Sequence, residues 1–510
     1  MIGPGLGGGV PLLLPDCLDV AARNWPNRLA LRFRNQSWTF GDMARAVAGA
    51  AERIHDVSAR SGRLDPGTAG RVGILSANRP GFVFAAHAAR HLGRPMAPLN
   101  WRQTATEVAW QLEQAAVTVL LVDDERLETA ARAATNLPVA VVPIAEIEGA
   151  APAIASTRQP LMVPADQELA DLFTSGTTGR PKGVRLTYGN VWSGAVASSL
   201  HLGHHLDDAW LAVLPLFHIG GLSILFRGAL TGTPVHLHER FDPEHALAAM
   251  DAGASLVSLV PTMLASLLEA RGSGEWPRTL RCVLLGGSAT PAALIEACLA
   301  RNIPVAPTYG LTEASSQVTT LLPSDVAVRV GSAGQPLPLT RLRVVTDAGV
   351  DRVGEAGQIE ISGPTVFAGY LGETEPGCHF TGDGWFPTGD IGFLDGEGFL
   401  YVLDRRDDLI VSGGENISPA EIERVLLEHP HVQDAGVFGA DDAWWGTRPA
   451  AAVVWTGQRD GASSALAEYC RQRLAPYKVP DRFLIVEALP RSPSGKLLRR
   501  VLRERSADPA

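Results

Sequence analysis

Fourteen residues, Asp171 to Val184 (DLFTSGTTGRPKGV), contain three Thr, one Ser and three Gly, with Lys182 held between Pro181 and Gly183. Glycine lets a backbone adopt positive φ and approach a ligand closely. Successive loop N–H groups can then converge on an anion, with hydroxyls and an ammonium completing the cradle. The composition is that of a phosphate-gripping loop. A flexible Gly/Ser/Thr hairpin is the plain alternative. A Walker loop is excluded, because it needs Gly-Lys followed by Ser or Thr and then a helix. Here Lys182 is followed by Gly183 and a β-like run, Val184–Thr187.

Lysine usage singles out the same place. The chain has 44 basic residues, and only Lys182, Lys478 and Lys496 are lysines. Where arginine serves almost everywhere, a retained lysine points to a position that needs a compact, flexible charge and not a planar fork.

Three further stretches carry reactive or ligand-binding types. Leu211–Gly221 (LAVLPLFHIGG) reads as a strand ending in Pro215, with Phe217 and His218 opening a Gly-rich turn. Taken alone, a His beside Phe in an apolar turn is more often a packed core residue than a catalyst. Arg281–Pro291 (RCVLLGGSATP) is a strand emptying into Gly286, Gly287 and Ser288, the end at which open α/β sheets bind ligands. In Pro304–Gln317 (PVAPTYGLTEASSQ), Tyr309 offers a flat face for a base. Thr312 and Glu313 offer oxygen ligands of the kind Mg²⁺ prefers.

These stretches need a scaffold, and the chain is long enough to supply several. At 510 residues two to four domains are expected. Strands at Arg71–Ser76 and Thr118–Asp123 alternate with a helical run over Pro80–Leu92, so parallel sheets with helices on both faces are predicted. Asn190 is expected to cap a helix running to about Leu200. Gly354–Tyr370 reads as Gly-punctuated β structure. Asp404 to Asp408 is a compact charged run between two apolar strands, by itself a solvated turn. Beyond it, Ser418 and Pro419 are expected as N-cap and first residue of a helix, with Glu421 supporting its first turn. Lys496 stands in a Ser/Pro/Gly loop and by itself reads as a solvated surface residue.

Hydrophobic content of 46% with 19% charged residues is globular, and a net charge of −10 disfavours a general nucleic-acid surface. Five cysteines (Cys17, Cys282, Cys298, Cys378, Cys470) are scattered and form no Cys-x-x-Cys pair. That argues for a reducing compartment and against a zinc site. With no signal peptide and no bilayer-spanning run, a cytoplasmic protein is expected.

TSGTTGRPKGV resembles the signature loop of the acyl-adenylate-forming superfamily, and the later motifs follow in that superfamily's order. The resemblance implies an α/β fold: a large N-terminal domain of stacked αβαβα sheets with a β-rich subdomain, and a small mobile α+β C-terminal domain. It implies boundaries of 1–406 for the adenylate-forming domain and 407–510 for a lid carrying the catalytic lysine, with Asp407 as hinge. It implies nucleotide contacts at Thr174, Ser175, Gly176, Thr177, Thr178, Gly179 and Lys182. Further nucleotide contacts fall to Gly286, Gly287, Ser288, Tyr309, Gly310, Thr312, Asp390 and Arg405. Gly414 lines the thiol's route. Glu313 would hold Mg²⁺. The catalytic set implied is Lys496, Glu313, Thr174 and His218, the last as a pocket residue and not as a base.

The activity implied is that of an AMP-forming acyl-CoA synthetase using ATP, Mg²⁺ and coenzyme A. LPLFHIGG lacks the aspartate with which peptide-synthetase adenylation domains meet an amine, and no carrier domain follows Arg505. PLFHIGGLSILFR, YGLTEASSQ and LDRRDDLIVSGGENISPAEIE are most similar to the branch that activates o-succinylbenzoate in menaquinone biosynthesis. A second carboxylate on that substrate would need a cation or donors, with His218, Arg227, Ser316 and Gln317 as candidates. A fatty-acyl or aryl ligase and a non-catalytic adenylate-binding regulator are the alternatives. The partners expected are a small carboxylic acid and CoA, with no nucleic acid and no membrane; a homodimer is left open.

Overall fold

The structure is a computed structural model describing residues 12–60, 70–152, 160–174, 181–288, 290–346, 349–373, 377–404, 410–456, 460–490, 497 and 499–507. It divides into two compact units. The first comprises residues 1–101, 112–172 and 183–404, and the second residues 102–111, 173–182 and 405–510.

The first unit is built on two large sheets. The strands of the seven-stranded sheet run in the order 369–370, 182–187, 168–174, 96–98, 71–75, 117–122, 140–143. Strand 71–75 pairs in parallel with both 96–98 and 117–122. Its sequence, RVGIL, is buried from Val72 onward, as a strand covered on both faces should be. The nine-stranded sheet has a parallel centre, 305–311, 282–285, 256–259, 210–212 and 235–237. The expected β-rich part is a five-stranded antiparallel sheet of 349–350, 341–346, 357–362, 386–394 and 400–404.

Two local expectations are corrected. Asn190 is not the N-cap of its helix. Thr187 holds that place, its hydroxyl accepting from the Asn190 N–H, while the Asn190 side chain accepts from the Thr187 N–H. The two form a reciprocal capping box, with Asn in the place usually taken by Glu or Gln. Such a cap contributes on the order of 1 kcal/mol. The glycines after His218 do not form a turn either. The helix Ile219–Thr231 starts at once, with His218 at its N-cap. A Cβ at Gly221 would stand 2.3 Å from the Pro215 carbonyl oxygen, so close backbone packing, and not chain reversal, requires glycine there.

In the second unit, strands 415–417, 410–412, 446–455 and 432–442 form an antiparallel sheet. Strand 482–486 joins it in parallel beside 446–455. Helices Pro419–Leu427 and Ala462–Arg471 present Ile422, Val425, Leu426, Leu466 and Cys470 to its core. Ser418 is at the N-cap as expected, but its hydroxyl makes no cap bond. Glu421 stands in the first turn as expected, but its carboxylate is engaged elsewhere. It is buried and accepts from Lys478 Nζ at 2.8 Å. Lys478 Nζ also donates to Glu107 Oε1 at 2.7 Å, so it is an internal cation of this unit held by two carboxylates, as a buried charge requires. Among the described residues no helix is long and apolar enough to cross a membrane.

Candidate active site

Within the first unit, the carboxyl ends of the parallel strands of the nine-stranded sheet deliver the candidate residues. Strand Cys282–Leu285 ends at Gly286 and Gly287. Gly287 has φ +86°, and a Cβ on Gly286 would meet the Thr308 methyl at 2.7 Å. The backbone here is therefore bare, and Ser288 follows it. Strand Val305–Leu311 carries Tyr309 and Gly310 and runs into a single 3₁₀ turn, Thr312–Ala314. Its partner strand Ser316–Thr320 returns antiparallel. A Cβ at Gly310 would lie 1.8 Å from the Ser316 carbonyl oxygen, so only glycine permits this approach. Ser315 and Ser316 take φ of +56° and +110°, a costly backbone for non-glycine residues that clusters at functional sites.

Tyr309 is buried, and its hydroxyl donates to Asp390 Oδ2 at 2.6 Å. Asp390 lies on the strand Phe386–Leu394, and its N–H donates to the Thr388 hydroxyl. Glu313 is held at both ends. Its side-chain Oε1 accepts from the Tyr370 hydroxyl at 2.9 Å. Its backbone carbonyl accepts from the Phe367 N–H at 2.8 Å. Two tyrosine hydroxyls thus orient the two candidate carboxylates.

A second group surrounds Arg227. The side chain is 3% exposed, on the strongly apolar helix Ile219–Thr231. Its guanidinium donates to the hydroxyls of Ser198 (3.1 Å) and Ser223 (2.6 Å), to Gln317 Oε1 (3.2 Å) and weakly to the Ser223 carbonyl (3.4 Å). It also lies over the Trp210 ring, 4.5 Å from the centroid. Every one of these partners is neutral. Among the described residues no carboxylate pairs with Arg227, and burial pulls its pKa down to about 10. Gln317 in turn donates to the Thr320 hydroxyl, which fixes its oxygen toward the arginine. His218 stands at the helix N-cap, its ring 4.5 Å from that of Phe217. Nine residues separate it from Arg227, roughly 13 Å along the helix axis, so the two do not lie side by side on this helix.

In the second unit, Thr174 ends the strand Glu168–Thr174, and its hydroxyl reaches the Lys182 carbonyl at 3.5 Å. Lys182 opens the strand Lys182–Thr187. Gly414, at φ +87°, is in the tight turn between strands 410–412 and 415–417. Ser175, Gly176, Thr177, Thr178, Gly179, Arg405, Asp407 and Lys496 lie outside the described residues.

The chain matches the AMP-binding enzyme family over residues 18–371 and that family's C-terminal domain over residues 421–496. This chain belongs to the AMP-binding enzyme family. The enzyme is 41% identical to the 2-succinylbenzoate–CoA ligase of Bacillus mycoides, across 96% of this chain and 98% of that one. It is also similar to the o-succinylbenzoate CoA synthetase of Bacillus subtilis. A double mutant of that protein bound to the product analogue OSB-NCoA gives a TM-score of 0.88 at 39% identity, covering 97% of this chain and 98% of that chain. The amide bond synthetase of Marinactinospora thermotolerans gives 0.84 at 26% identity, covering 96% and 99%.

Sequence reasoning passed over several residues of this AMP-binding enzyme. Asn78 is 2% exposed. Its amide donates to the carbonyls of Leu214 and His238 and accepts from the Leu216 N–H. It thereby ties down the segment leading to His218. Its only sequence signal is an Asn two residues past a buried strand. Tyr370 was visible only as the end of a β run. Ser198 and Ser223 carry no motif at all.

Proposed function

We propose that this AMP-binding enzyme is a 2-succinylbenzoate–CoA ligase. In the first half-reaction the succinyl carboxylate attacks the α-phosphorus of ATP, forming the acyl-adenylate and releasing diphosphate. In the second, the CoA thiol attacks the acyl carbonyl and expels AMP. Positioning and charge neutralisation supply most of the rate enhancement in such transfers.

The observation that carries the substrate reading is Arg227. A buried guanidinium surrounded by neutral partners lacks the counter-charge that burial demands. The ring carboxylate of 2-succinylbenzoate supplies it, with Gln317 and the Ser198 and Ser223 hydroxyls holding the fork in place. A fatty acid offers no second anion for this cation.

Asp390 accepts from the ribose hydroxyls, and Tyr309 holds its carboxylate for that task. Thr312 and Glu313 supply oxygen donors, the set Mg²⁺ favours, so the residues present fit that ion. Bound there, it would offset phosphate charge. Lys182 and the loop before it grip the departing diphosphate, while Lys496 bridges the carboxylate and the α-phosphate. We place the boundary between adenylate-forming and lid domains at 406/407, with Asp407 the hinge; the division of the two compact units after Asp404 supports it. Five unbridged cysteines fit a cytoplasmic protein.

The test is kcat/KM for 2-succinylbenzoate, octanoate and benzoate, read as CoA esters by mass spectrometry. A dianion site should lose about 2–4 kcal/mol with a monoanion, roughly 30- to 1,000-fold. Equal turnover of octanoate rejects the substrate and favours a fatty-acyl ligase. Absence of diphosphate release with every acid would mark a non-catalytic adenylate-binding protein.

A further inference from the structure

We propose that Glu373, Cys378 and His379 form a binding site for a thiophilic divalent cation of the zinc class. One ligand atom from each residue lies within 4.8 Å of the other two. A thiolate, an imidazole and a carboxylate are the donor types that Zn²⁺ takes, at about 2.0–2.3 Å each. Sulfur and nitrogen donors disfavour Mg²⁺, so this site does not duplicate the one at Glu313.

The carboxylate and the imidazole are already set against each other. Glu373 Oε1 is buried and accepts no hydrogen bond. His379 Nε2 stands 2.5 Å from it, an ion pair when the imidazole is protonated. A divalent cation held by both would take the place of the imidazole proton, at about 2.0–2.2 Å from each, with the pair opening to roughly 3 Å. The imidazole is also held from its other side, its ring edge-on to Tyr370 at 4.8 Å and 87°. Pre-oriented ligands of this kind are what metal sites use.

Access is provided by the third ligand. Cys378 is exposed, whereas Cys17, Cys282, Cys298 and Cys470 are buried. Burial raises all four buried thiols, to about 11 or 12, so they stay protonated and out of reach. Three protein ligands leave a fourth position for water or a passing anion. Binding Zn²⁺ displaces the Cys378 thiol proton to solvent and leaves the metal divalent, so no oxidant or reductant is required.

The experiment uses the full-length, untagged protein freed of metal with a chelator. Cobalt(II) serves as a spectroscopic probe, because a thiolate ligand gives it a near-ultraviolet charge-transfer band. The expected result is one equivalent of Co²⁺ bound with that band, displaced by one equivalent of Zn²⁺. In parallel, Ellman's reagent should find one reactive thiol in the native protein, and stoichiometric Zn²⁺ should protect it. Cys378→Ser should abolish the band. His379→Ala and Glu373→Gln should each weaken Zn²⁺ binding by about tenfold or more. Circular dichroism establishes that each variant is folded. A native protein that shows no charge-transfer band, or whose thiol reacts equally fast with and without Zn²⁺, overturns the proposal. So does a band that survives in Cys378→Ser.

Discussion

The Tyr309 hydroxyl donates to Asp390 Oδ2 at 2.6 Å, joining residues 81 positions apart in the chain. A hydrogen bond to a charged acceptor contributes about 1.5–3 kcal/mol. Tyr309→Phe keeps the ring and removes the donor, so the Asp390 carboxylate is less well aimed at a ribose. The expected outcome is a rise in KM for ATP of roughly tenfold or more, with kcat for diphosphate release changed less. An unchanged KM would show that the tyrosine serves packing alone.

Tyr370 and Glu313 stand in the same relation at 2.9 Å. Tyr370→Phe should raise the Mg²⁺ concentration needed for half-maximal diphosphate release, while saturating Mg²⁺ restores most of the rate. Glu313→Gln removes the charge itself and should not be rescued in this way. Equal rescue of both variants would count against a positioning role for Tyr370.

Arg227→Gln keeps polar atoms near Ser198, Ser223 and Gln317 but deletes the charge. Removing one member of a buried charge pair costs about 2–5 kcal/mol. The expected loss in kcat/KM for 2-succinylbenzoate is therefore roughly 30- to several-thousand-fold. Octanoate turnover, measured side by side, should hold or rise. A parallel fall for both acids would mean that the variant damages the pocket and not a specific charge contact.

For Lys496→Ala, loss of adenylate formation with retention of thioester formation from supplied acyl-adenylate is expected. Single-turnover assays of the two half-reactions separate these outcomes. If both half-reactions fail together in a folded protein, the lysine does not act on the first step alone.

Acid should destabilise the protein well above the ordinary carboxylate range. Burial pushes the imidazoles of His87 and His91 down to about 3 and that of His236 to about 4, from 6.5. Between those values the unfolded chain binds more protons than the folded one, so folding stability rises with pH. The stabilisation is complete above pH 6.5 and declines as pH falls toward the folded values. Ordinary carboxylates contribute little above about pH 5. Burial also pushes the Asp171 carboxyl up to about 8, which works in the opposite sense, so the histidine part is read as a difference: the Tm of His236→Gln should fall less between pH 7 and 5 than that of the native protein. An identical pH dependence of Tm in the two proteins contradicts the assignment.

Much of the chemistry is written locally. The Gly/Ser/Thr loop, Gly286-Gly287 and Thr312-Glu313 are each a few adjacent residues, and their meaning follows from backbone freedom and donor type. Strand and helix alternation also follows from short-range patterning, because burial on both faces leaves runs such as RVGIL. The reciprocal cap of Thr187 and Asn190 was missed by three positions, because Asn and Thr are both strong cap residues and only backbone geometry ranks them.

What the sequence could not determine is which residues meet. Arg227 is joined to Gln317 across 90 positions and Glu313 to Tyr370 across 57. Nothing near Arg227 in the chain distinguishes it from an arginine on a solvent-facing helix. Only the packing of an almost wholly apolar helix against its neighbours buries that charge. Likewise nothing near Lys478 in the chain names Glu107 and Glu421 as its partners, and only the fold sets them against it. Composition and spacing decided which groups are available. Tertiary structure decided which charges lose their water, because desolvation depends on everything that packs around a side chain and not on its neighbours in the chain.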